Sequence, residues 1–303
     1  MILPPAAAET EIQATPSEIY PVKSGEAGAH SSEQFNEIKT ESTLFSEQIF
    51  KFHNFPITNS LLNTWLVVLL VVIFGLFLRS RIKLVPKGVQ NAVEAVIEML
   101  LDIFDSVTGS RPKTLKYFPF VLSFFVFILL NNWLGLLPGV GSIGQVAAEH
   151  GEKVFIPFFR GGTADLNTTL ALAIIGVVFS HIFSVIALGF WKYINKFINI
   201  KALLEIPKKV IKDPAIIFVN PIKVFVGLIE IVGEAAKVAS LSFRLFGNIF
   251  AGEVLLASMS ALLAFGLPIP FMFLEIIVGL VQAFIFAVLI LAYLSMNTVE
   301  EEH

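Results

Sequence analysis

Five long stretches of apolar residues constrain the fold of this chain more than any other feature of its sequence. A transmembrane helix needs about 20 consecutive, mostly apolar residues, because the hydrocarbon core of a bilayer is about 30 Å thick. The predicted spans are approximately 61–78, 118–137, 168–191, 222–263 and 271–294. The mean hydropathy of +0.79 and the charged fraction of 15% agree with this interpretation. We therefore predict an all-α polytopic membrane protein with about five membrane-crossing helices.

The fourth predicted span is too long for a simple crossing. A continuous helix over 222–263 would measure about 60 Å, about twice the hydrocarbon thickness, so it must tilt strongly or bend. Gly266, Pro268 and Pro270 then predict a turn before the last span. The sequence therefore predicts a long, tilted helical hairpin at the C-terminal end of the chain.

Basic residues alternate between the connecting segments in a way that predicts orientation. Cytoplasmic segments of membrane proteins carry an excess of Lys and Arg. Such clusters follow the first span, precede the second and follow the third, where Pro207, Pro214 and Pro221 are expected to interrupt any helix. This distribution predicts that the N-terminus lies outside and the C-terminus in the cytoplasm. The clusters contain Arg79, Arg81, Lys83, Lys87, Arg111, Lys113, Lys116, Lys192, Lys196, Lys201, Lys208, Lys209 and Lys212.

Two further segments have distinct compositions. Residues 1–50 are acidic and rich in Ala, Ser, Thr and Pro, which predicts a disordered, solvated extension ahead of a membrane domain over 51–303. Residues 89–107 have a helical periodicity that predicts an amphipathic helix on the cytoplasmic surface. Its predicted apolar stripe contains Val89, Ala92, Val93, Val96, Met99, Leu100 and Ile103.

Several classes of function are disfavoured by residues that the sequence lacks or scatters. There is no cysteine, which excludes disulfides and thiolate chemistry, and the five histidines lack metal-ligand spacing. The segment GVGSIG at 139–144 matches a dinucleotide fingerprint only by letter, because no strand precedes it, and we interpret it as a turn. No G-x-x-x-x-G-K-[ST] motif is present. We expect no cofactor, no metal, no nucleic acid and no catalysis of ATP chemistry in this chain.

Polar residues also stand at the outer ends of two spans. Asn131 and Asn132 are expected to form hydrogen bonds between helices. Asp165 and Asn167 precede the third span, where they fit a helix cap better than the lining of an aqueous channel.

The segment SLSFRLFGNIFAGE, residues 240–253, places charges inside an otherwise apolar span. Intramembrane charges are costly, so Arg244 predicts a functional site, and its guanidinium stays protonated at physiological pH. Asn248 shares its helix face. Glu253 lies about 180° around the helix and about 13 Å further along it. This spacing favours two separate polar compartments over one salt bridge.

Further polar residues extend this constellation along both helices of the hairpin. Glu230, Lys237 and Ser240 lie near Arg244 in angle and form a stripe that approaches it from the cytoplasmic end. In an antiparallel hairpin that turns near residue 263, Gln282 is expected level with Arg244, and Glu275 level with Glu253. We expect none of the three charges Arg244, Glu253 and Glu275 to have a counter-charge one turn away.

This arrangement predicts a mechanism in which a fixed cation separates two polar paths that open to opposite sides. A mobile carboxylic acid on a partner would take up a proton from one path and lose it near Arg244, because a nearby positive charge favours the carboxylate. The small residues Gly247, Ala251 and Gly252 would allow a partner helix to approach closely.

The same residues carry a resemblance to a known family. SLSFRLFGNIFAGE and LVQAFIFAVLILAYLSM (280–296), with FVFILLNNWLGLLPG and TADLNTTLALA, closely resemble subunit a of bacterial F-type ATP synthases. The resemblance covers most of the chain from about residue 50. It implies a multi-pass stator subunit in the bacterial plasma membrane. It also implies as partners a rotating ring of c subunits, b-type peripheral stalk subunits and the rest of the synthase.

The resemblance also implies roles for particular residues. The essential arginine of the family matches Arg244, and its conductive polar positions match Asn248, Glu253, Glu275 and Gln282. Some members carry histidine where this chain has Glu275. From the residues alone, a sodium-translocating version of the subunit, a self-contained cation transporter and a structural scaffold stay open as alternatives. A self-contained transporter predicts internal repeats, which the sequence does not show.

Overall fold

The computed structural model describes residues 38–39, 43–53, 55–137, 139–149, 152–198, 216–263 and 266–297. Within these ranges five helices are long and apolar enough to cross a membrane, which confirms the predicted all-α polytopic fold. The described helices are α1 (Asn59–Arg81), α2 (Val89–Thr108), α3 (Arg111–Gly135), α4 (Leu166–Leu188), α5 (Phe190–Ile198), α6 (Ile216–Leu262) and α7 (Pro268–Asn297).

Two small sheets, which the sequence analysis did not predict, lie between the helices. The described strands are β1 (Ile38–Lys39), β2 (Gln48–Phe52), β3 (Phe55–Thr58), β4 (Gly144–Glu149) and β5 (Glu152–Pro157). Strands β2 and β3 form an antiparallel pair, whereas β5 pairs antiparallel with β4 and parallel with β1. The strands bring part of the N-terminal segment against the connection between α3 and α4. Residues 1–37 and 40–42 of the predicted extension lie outside the description.

The core is formed where α3, α4 and α7 pack together, with contributions from α2 and α6. Ile128 of α3, Ala173 of α4 and Ile290 of α7 are fully buried in one apolar cluster. Gly176 allows α4 and α7 to approach closely, because a Cβ at that position would overlap the end of the Ile290 side chain. α1 packs against α3 and exposes most of its apolar residues, as expected for a helix that faces lipid.

The C-terminal hairpin consists of α6 and α7, joined by a turn in the predicted place. α6 contains 47 residues, so it measures about 70 Å at 1.5 Å per residue, and it exceeds the hydrocarbon thickness as expected. Pro221 lies inside α6, so our expectation that it would interrupt a helix is wrong. The proline stands close to the N-terminal end of α6, where its missing N–H removes only one bond from the helix ladder.

The predicted amphipathic helix is present as α2, but its buried face differs from the predicted stripe. Leu100 of the predicted stripe is buried against α3 and α7 together with Leu101 and Phe104, whereas Val96 and Met99 of the stripe are exposed. Both groups belong to one broad apolar surface, and periodicity alone does not say which part of such a surface meets the protein. The contact with α3 and α7 decides it.

The ends of two other spans also differ from prediction. α3 begins at Arg111, seven residues before the predicted span, with Pro at the favourable second position of the helix. α4 ends at Leu188, because Gly189 adopts a positive φ of 85°, and α5 starts immediately afterwards. Apolar composition sets a span approximately, and capping residues set its actual ends.

Candidate functional site

Arg244 projects from the exposed face of α6. Its guanidinium donates a hydrogen bond of 3.3 Å to Ser240 Oγ, one turn away. Within the described ranges Arg244 forms no salt bridge with a carboxylate, whereas Arg111 and Arg160 each pair with at least one. An exposed face on a membrane-spanning helix meets lipid or a partner, so the arginine is presented outward with its charge uncompensated.

Asn248 and Gln282 join the two helices of the hairpin one turn from Arg244. Asn248 Nδ2 donates to Gln282 Oε1 at 2.8 Å, and the Gln282 side chain is buried. We expected Gln282 level with Arg244, and the observed partner lies one helical turn further along. Nearer the turn, Glu275 contacts Gly252, within one residue of its expected level, so the two cross-hairpin contacts do not share this displacement.

Glu275 packs against the backbone of α6 at Gly252. A Cβ on Gly252 would overlap the Glu275 carboxyl group, so only glycine leaves room for it. Glu275 is 6% exposed, and no salt bridge reaches it within the described parts of the chain. Gly252, which we expected to face a partner helix, is therefore used for contact inside this chain.

Glu253 and Glu275 line one cavity of about 210 Å³ at the end of the helices near β4 and β5. The wall also includes Asn132 of α3 and Arg160, which lies between β5 and α4. The two glutamates that we expected at one depth thus line the same cavity, whose wall is otherwise mostly apolar. A carboxyl group in such a cavity can hold and exchange a proton.

Glu253 has a counter-charge that the sequence analysis missed. Arg160 Nη2 lies 2.8 Å from Glu253 Oε2, and its side chain is 5% exposed against 34% for the glutamate. Arg160 Nε also donates to both carboxylate oxygens of Glu253. We expected no counter-charge one helical turn from Glu253, and Arg160 instead reaches it from a segment 93 residues away. The signal available was a lone arginine in an otherwise apolar segment, five residues before Asp165.

A second polar cluster lies on the other side of Arg244 along α6. Lys237 Nζ donates to Glu234 Oε1 at 2.7 Å, and His181 Nε2 of α4 is 3.5 Å from Glu234 Oε2. Tyr193 of α5 shares a hydrogen bond of 2.7 Å with His181 Nδ1. Sequence analysis placed Glu230 and Lys237 on α6 but did not point to His181 or Tyr193, which come from other helices.

Electrostatics connect Glu230 to the same cluster. Burial raises the pKa of the Tyr193 hydroxyl to about 12, and the negative charges of Glu234 and Glu230 contribute to this increase. The tyrosine is therefore neutral at physiological pH, and its hydroxyl is available for hydrogen bonding. The predicted stripe from Glu230 to Arg244 thus continues sideways into α4 and α5.

The remaining polar predictions concern helix contacts, and they are confirmed. Asn63 Nδ2 donates to Asn131 Oδ1 at 3.3 Å, and Asn132 Nδ2 donates to the Gly279 carbonyl at 2.9 Å. Asp165 caps α4 by accepting a hydrogen bond from Asn167 N. These bonds hold α1, α3 and α7 together around the cavity.

The fold and these two clusters define a class of protein. Within its described ranges, the molecule is a multi-pass membrane protein whose longest helix places an outward-facing arginine between two sets of titratable groups. Intramembrane charges in such positions characterise proteins that move ions.

Comparison with known proteins identifies the family within that class. The family model described as ATP synthase A chain matches residues 61–295. ATP synthase subunit a of Syntrophobacter fumaroxidans is 34% identical over 258 residues, which cover 85% of this chain and 91% of the relative. The corresponding subunit of Campylobacter jejuni subsp. doylei is 33% identical over 262 residues, covering 86% and 97%. That of Geobacter sulfurreducens is 32% identical over 240 residues, covering 79% and 87%.

The chain therefore belongs to the ATP synthase subunit a family. As a member of this family it is a non-catalytic, multi-pass subunit of the membrane sector of an ATP synthase.

Proposed function

We propose that this chain is the proton-translocating stator subunit of its synthase. Its two polar clusters would form half-channels to the carboxylic acids of a ring of c subunits, with Arg244 as the barrier between them. The observation that carries the proposal is that Arg244 is exposed and unpaired by carboxylates among the described residues, between two separate clusters. A buried or paired arginine would not be available to a moving carboxylate on a partner.

The outer half-channel is assigned to the cavity that contains Glu253 and Glu275. Glu253 lies nine residues from Arg244, about 13 Å along α6, which leaves space for a separate path. Asn248 and Gln282 stand between the cavity and the arginine, and their 2.8 Å hydrogen bond places polar groups along the connection. A proton arriving from outside would pass from the cavity towards the c ring at this level.

The inner half-channel is assigned to the cluster around Glu234. Glu230, Lys237 and Ser240 lead along α6 towards Arg244, and His181 widens the cluster towards α4. The two ring nitrogens of histidine can donate and accept hydrogen bonds, so its presence suits proton exchange with the cytoplasm.

The surface that would face the c ring contains Arg244, Gly247 and Ala251. These residues lie on one face of α6, and a Cβ on Gly247 would have open space around it. Small residues let helices approach closely, so a c-subunit carboxylate could come near the guanidinium. Contact with that charge favours the ionised carboxylate and releases its proton, and a potential of 100 mV adds about 2.3 kcal/mol per charge.

Replacement of Arg244 by alanine tests the proposal. The measurement is ATP-driven proton pumping and passive proton flux in membrane vesicles that contain the whole complex. We expect Arg244→Ala to abolish coupled pumping while the complex assembles, because nothing then forces the c-subunit carboxylate to release its proton. Arg79→Ala, at the end of α1, is the matched control and should pump normally. Normal pumping by Arg244→Ala would overturn the proposal.

The choice of ion needs a separate measurement. We propose protons, with sodium as the alternative. ATP-driven uptake is measured with and without sodium at fixed pH, using a radioactive sodium tracer and a pH-sensitive dye in parallel. Proton uptake that persists without added sodium supports the first choice, whereas sodium uptake that is insensitive to protonophores supports the second.

Location and partners follow from the same proposal. The chain would lie in the bacterial plasma membrane with the N-terminus outside and the C-terminus in the cytoplasm. It would contact the c ring through the Arg244 face of α6 and b-type peripheral stalk subunits elsewhere. The outer assignment of the cavity agrees with its position beside β4 and β5, on the side opposite to the basic segment after α1.

A further inference from the structure

Arg160 occupies an unusual position for a charged residue in this chain. It lies in the connection between β5 and α4, yet it is 6% exposed. A buried guanidinium is costly unless its donors are satisfied. The hydrogen-bond partners of Arg160 therefore indicate which parts of the chain position this guanidinium.

The guanidinium of Arg160 joins two parts of the chain that are distant in sequence. On one side it forms the salt bridge with Glu253 of α6. On the other, Nη2 donates to the Thr43 carbonyl at 2.8 Å, and Nη1 donates to the Phe45 carbonyl at 3.2 Å and to Thr43 Oγ1 at 3.3 Å. Every nitrogen of the fork has a partner, so the group has one defined orientation.

The anchoring segment is itself held beside the cavity. Ser46 donates from Oγ to Asp165 Oδ2 at 3.2 Å, and Asp165 caps α4. Residues 43–46 thus connect the start of α4 to Arg160, and we call this segment the strap. The strap holds the arginine, and the arginine holds the Glu253 carboxylate at the cavity wall.

Glu275 differs from Glu253 in this respect. It lines the same cavity, but within the described ranges no cation pairs with it. A carboxylate fixed by an arginine through several hydrogen bonds is a poor carrier, because each protonation must break the salt bridge. An unpaired carboxyl group beside it is free of that cost.

We propose that Arg160 is a positioning residue of the outer proton path: through the strap it fixes the Glu253 carboxylate, and Glu275 is the group that exchanges protons with the cavity. This inference rests on the proposed proton-translocating function and adds a division of roles between the two glutamates. It also gives residues 43–46 a part in conduction.

A double-mutant cycle tests the proposal in vesicles that contain the whole complex. The variants are Arg160→Gln, Glu253→Gln and both together, and the readout is passive proton flux divided by the amount of assembled complex. Loss of the Arg160–Glu253 salt bridge would change the cavity wall beside Glu275, and a misplaced reacting group costs about tenfold or more in rate, so we expect about that loss in each single variant. If Arg160 acts through Glu253, the double variant should be no slower than Glu253→Gln alone.

Two results would overturn the proposal. One is a double variant whose loss equals the product of the two single losses, because that would show independent action. The other is an Arg160→Gln variant that conducts normally. Arg111→Gln is the matched control, since Arg111 pairs with Asp102 and Asp105 at the α2–α3 junction, and its flux should match wild type.

If Arg160→Gln lowers the amount of assembled complex, Arg160→Lys is used in its place. Lysine keeps the charge but cannot reproduce the planar fork, so we expect slower flux per complex. That slowing should disappear in a Glu253→Gln background, and its persistence there would contradict the proposal. Absence of proton flux in the wild-type complex would instead refute the proposed function itself, so the two failures are distinguishable.

Truncation tests the strap. Deletion of residues 2–45 removes the carbonyls of Thr43 and Phe45 and should slow flux as Arg160→Gln does. Deletion of residues 2–37 leaves these contacts in place and is the control, with flux near that of the full chain. Equal flux in the two truncated forms would exclude a role for the strap.

Discussion

Two arginines of this chain illustrate how the same side chain takes opposite roles. Arg244 projects from an exposed helix face and bonds only Ser240 among the contacts described for it. Arg160 is buried, and its guanidinium contacts Glu253 and two backbone carbonyls. A guanidinium with satisfied donors fixes structure, whereas one whose charge is uncompensated attracts an anion from outside. The surroundings therefore decide the role of each arginine.

The two glutamates of the cavity should respond differently to neutralisation. Glu275→Gln removes the unpaired carboxyl group, and we expect it to slow passive proton flux about tenfold or more, since general acid–base groups contribute at least that much. Glu253→Gln should also slow flux, and it should lower the amount of complex, because it leaves the buried Arg160 charge without its anion. Flux per assembled complex and complex abundance are measured separately.

The amount of assembled complex should distinguish Glu275→Gln from Glu253→Gln. Glu275→Gln should assemble to the wild-type level, because it leaves no charge unpaired within the described contacts. Unchanged flux in the variant that combines both replacements would remove the two glutamates from the proton path.

At the scale of elements, the hairpin of α6 and α7 is the feature that assembles the site. Gly252 lets the Glu275 carboxyl lie against α6, and the Asn248–Gln282 hydrogen bond fixes the register one turn nearer Arg244. Asn132 Nδ2 and Trp133 Nε1 of α3 donate to carbonyls of α7 beside the same region. These bonds hold the cavity wall from two sides.

Gly252→Ala is expected to disturb this contact without preventing folding. The new methyl group would overlap the Glu275 carboxyl, which lies at the end of a flexible side chain and can turn away. Alanine also favours the helix by about 1 kcal/mol relative to glycine, so the complex should assemble. We expect passive proton flux per complex to fall about tenfold, because the carboxyl group leaves its position in the cavity.

Gly75→Ala in α1 is the control for this substitution. Its Cβ would have open space around it, so flux should stay at the wild-type level. Equal flux in both alanine variants would show that the close contact between Gly252 and Glu275 has no part in conduction.

At the scale of the whole molecule, the proposed orientation places the cavity on the outer side and α2 in the cytoplasm. The chain has no cysteine, so a single introduced cysteine is its one site of maleimide labelling. We expect Ser142→Cys, near β4, to react with a membrane-impermeant maleimide in intact cells. Ser106→Cys, on the exposed side of α2, should react only in inverted vesicles. The opposite pattern would reverse the orientation and exchange the two proposed half-channels.

Sequence periodicity and composition by themselves determined the fold class, the five spans and the position of the hairpin turn, and they singled out Arg244 as a candidate site. These features depend on local physics: helices must be long and apolar to cross a bilayer, and a charge within one is costly wherever it points. The same reasoning located Glu253, Glu275, Asn248 and Gln282 on the correct two helices.

Only the tertiary structure decided which of these groups meet. Arg160 reaches Glu253 from a segment 93 residues away, and His181 and Tyr193 reach Glu234 from other helices. Helical geometry relates residues a few positions apart, but it contains no information on which face of one helix packs against another. The buried face of α2, the one-turn displacement of Gln282 and the pairing of Glu253 were set by that packing, so no periodicity in the sequence could reveal them.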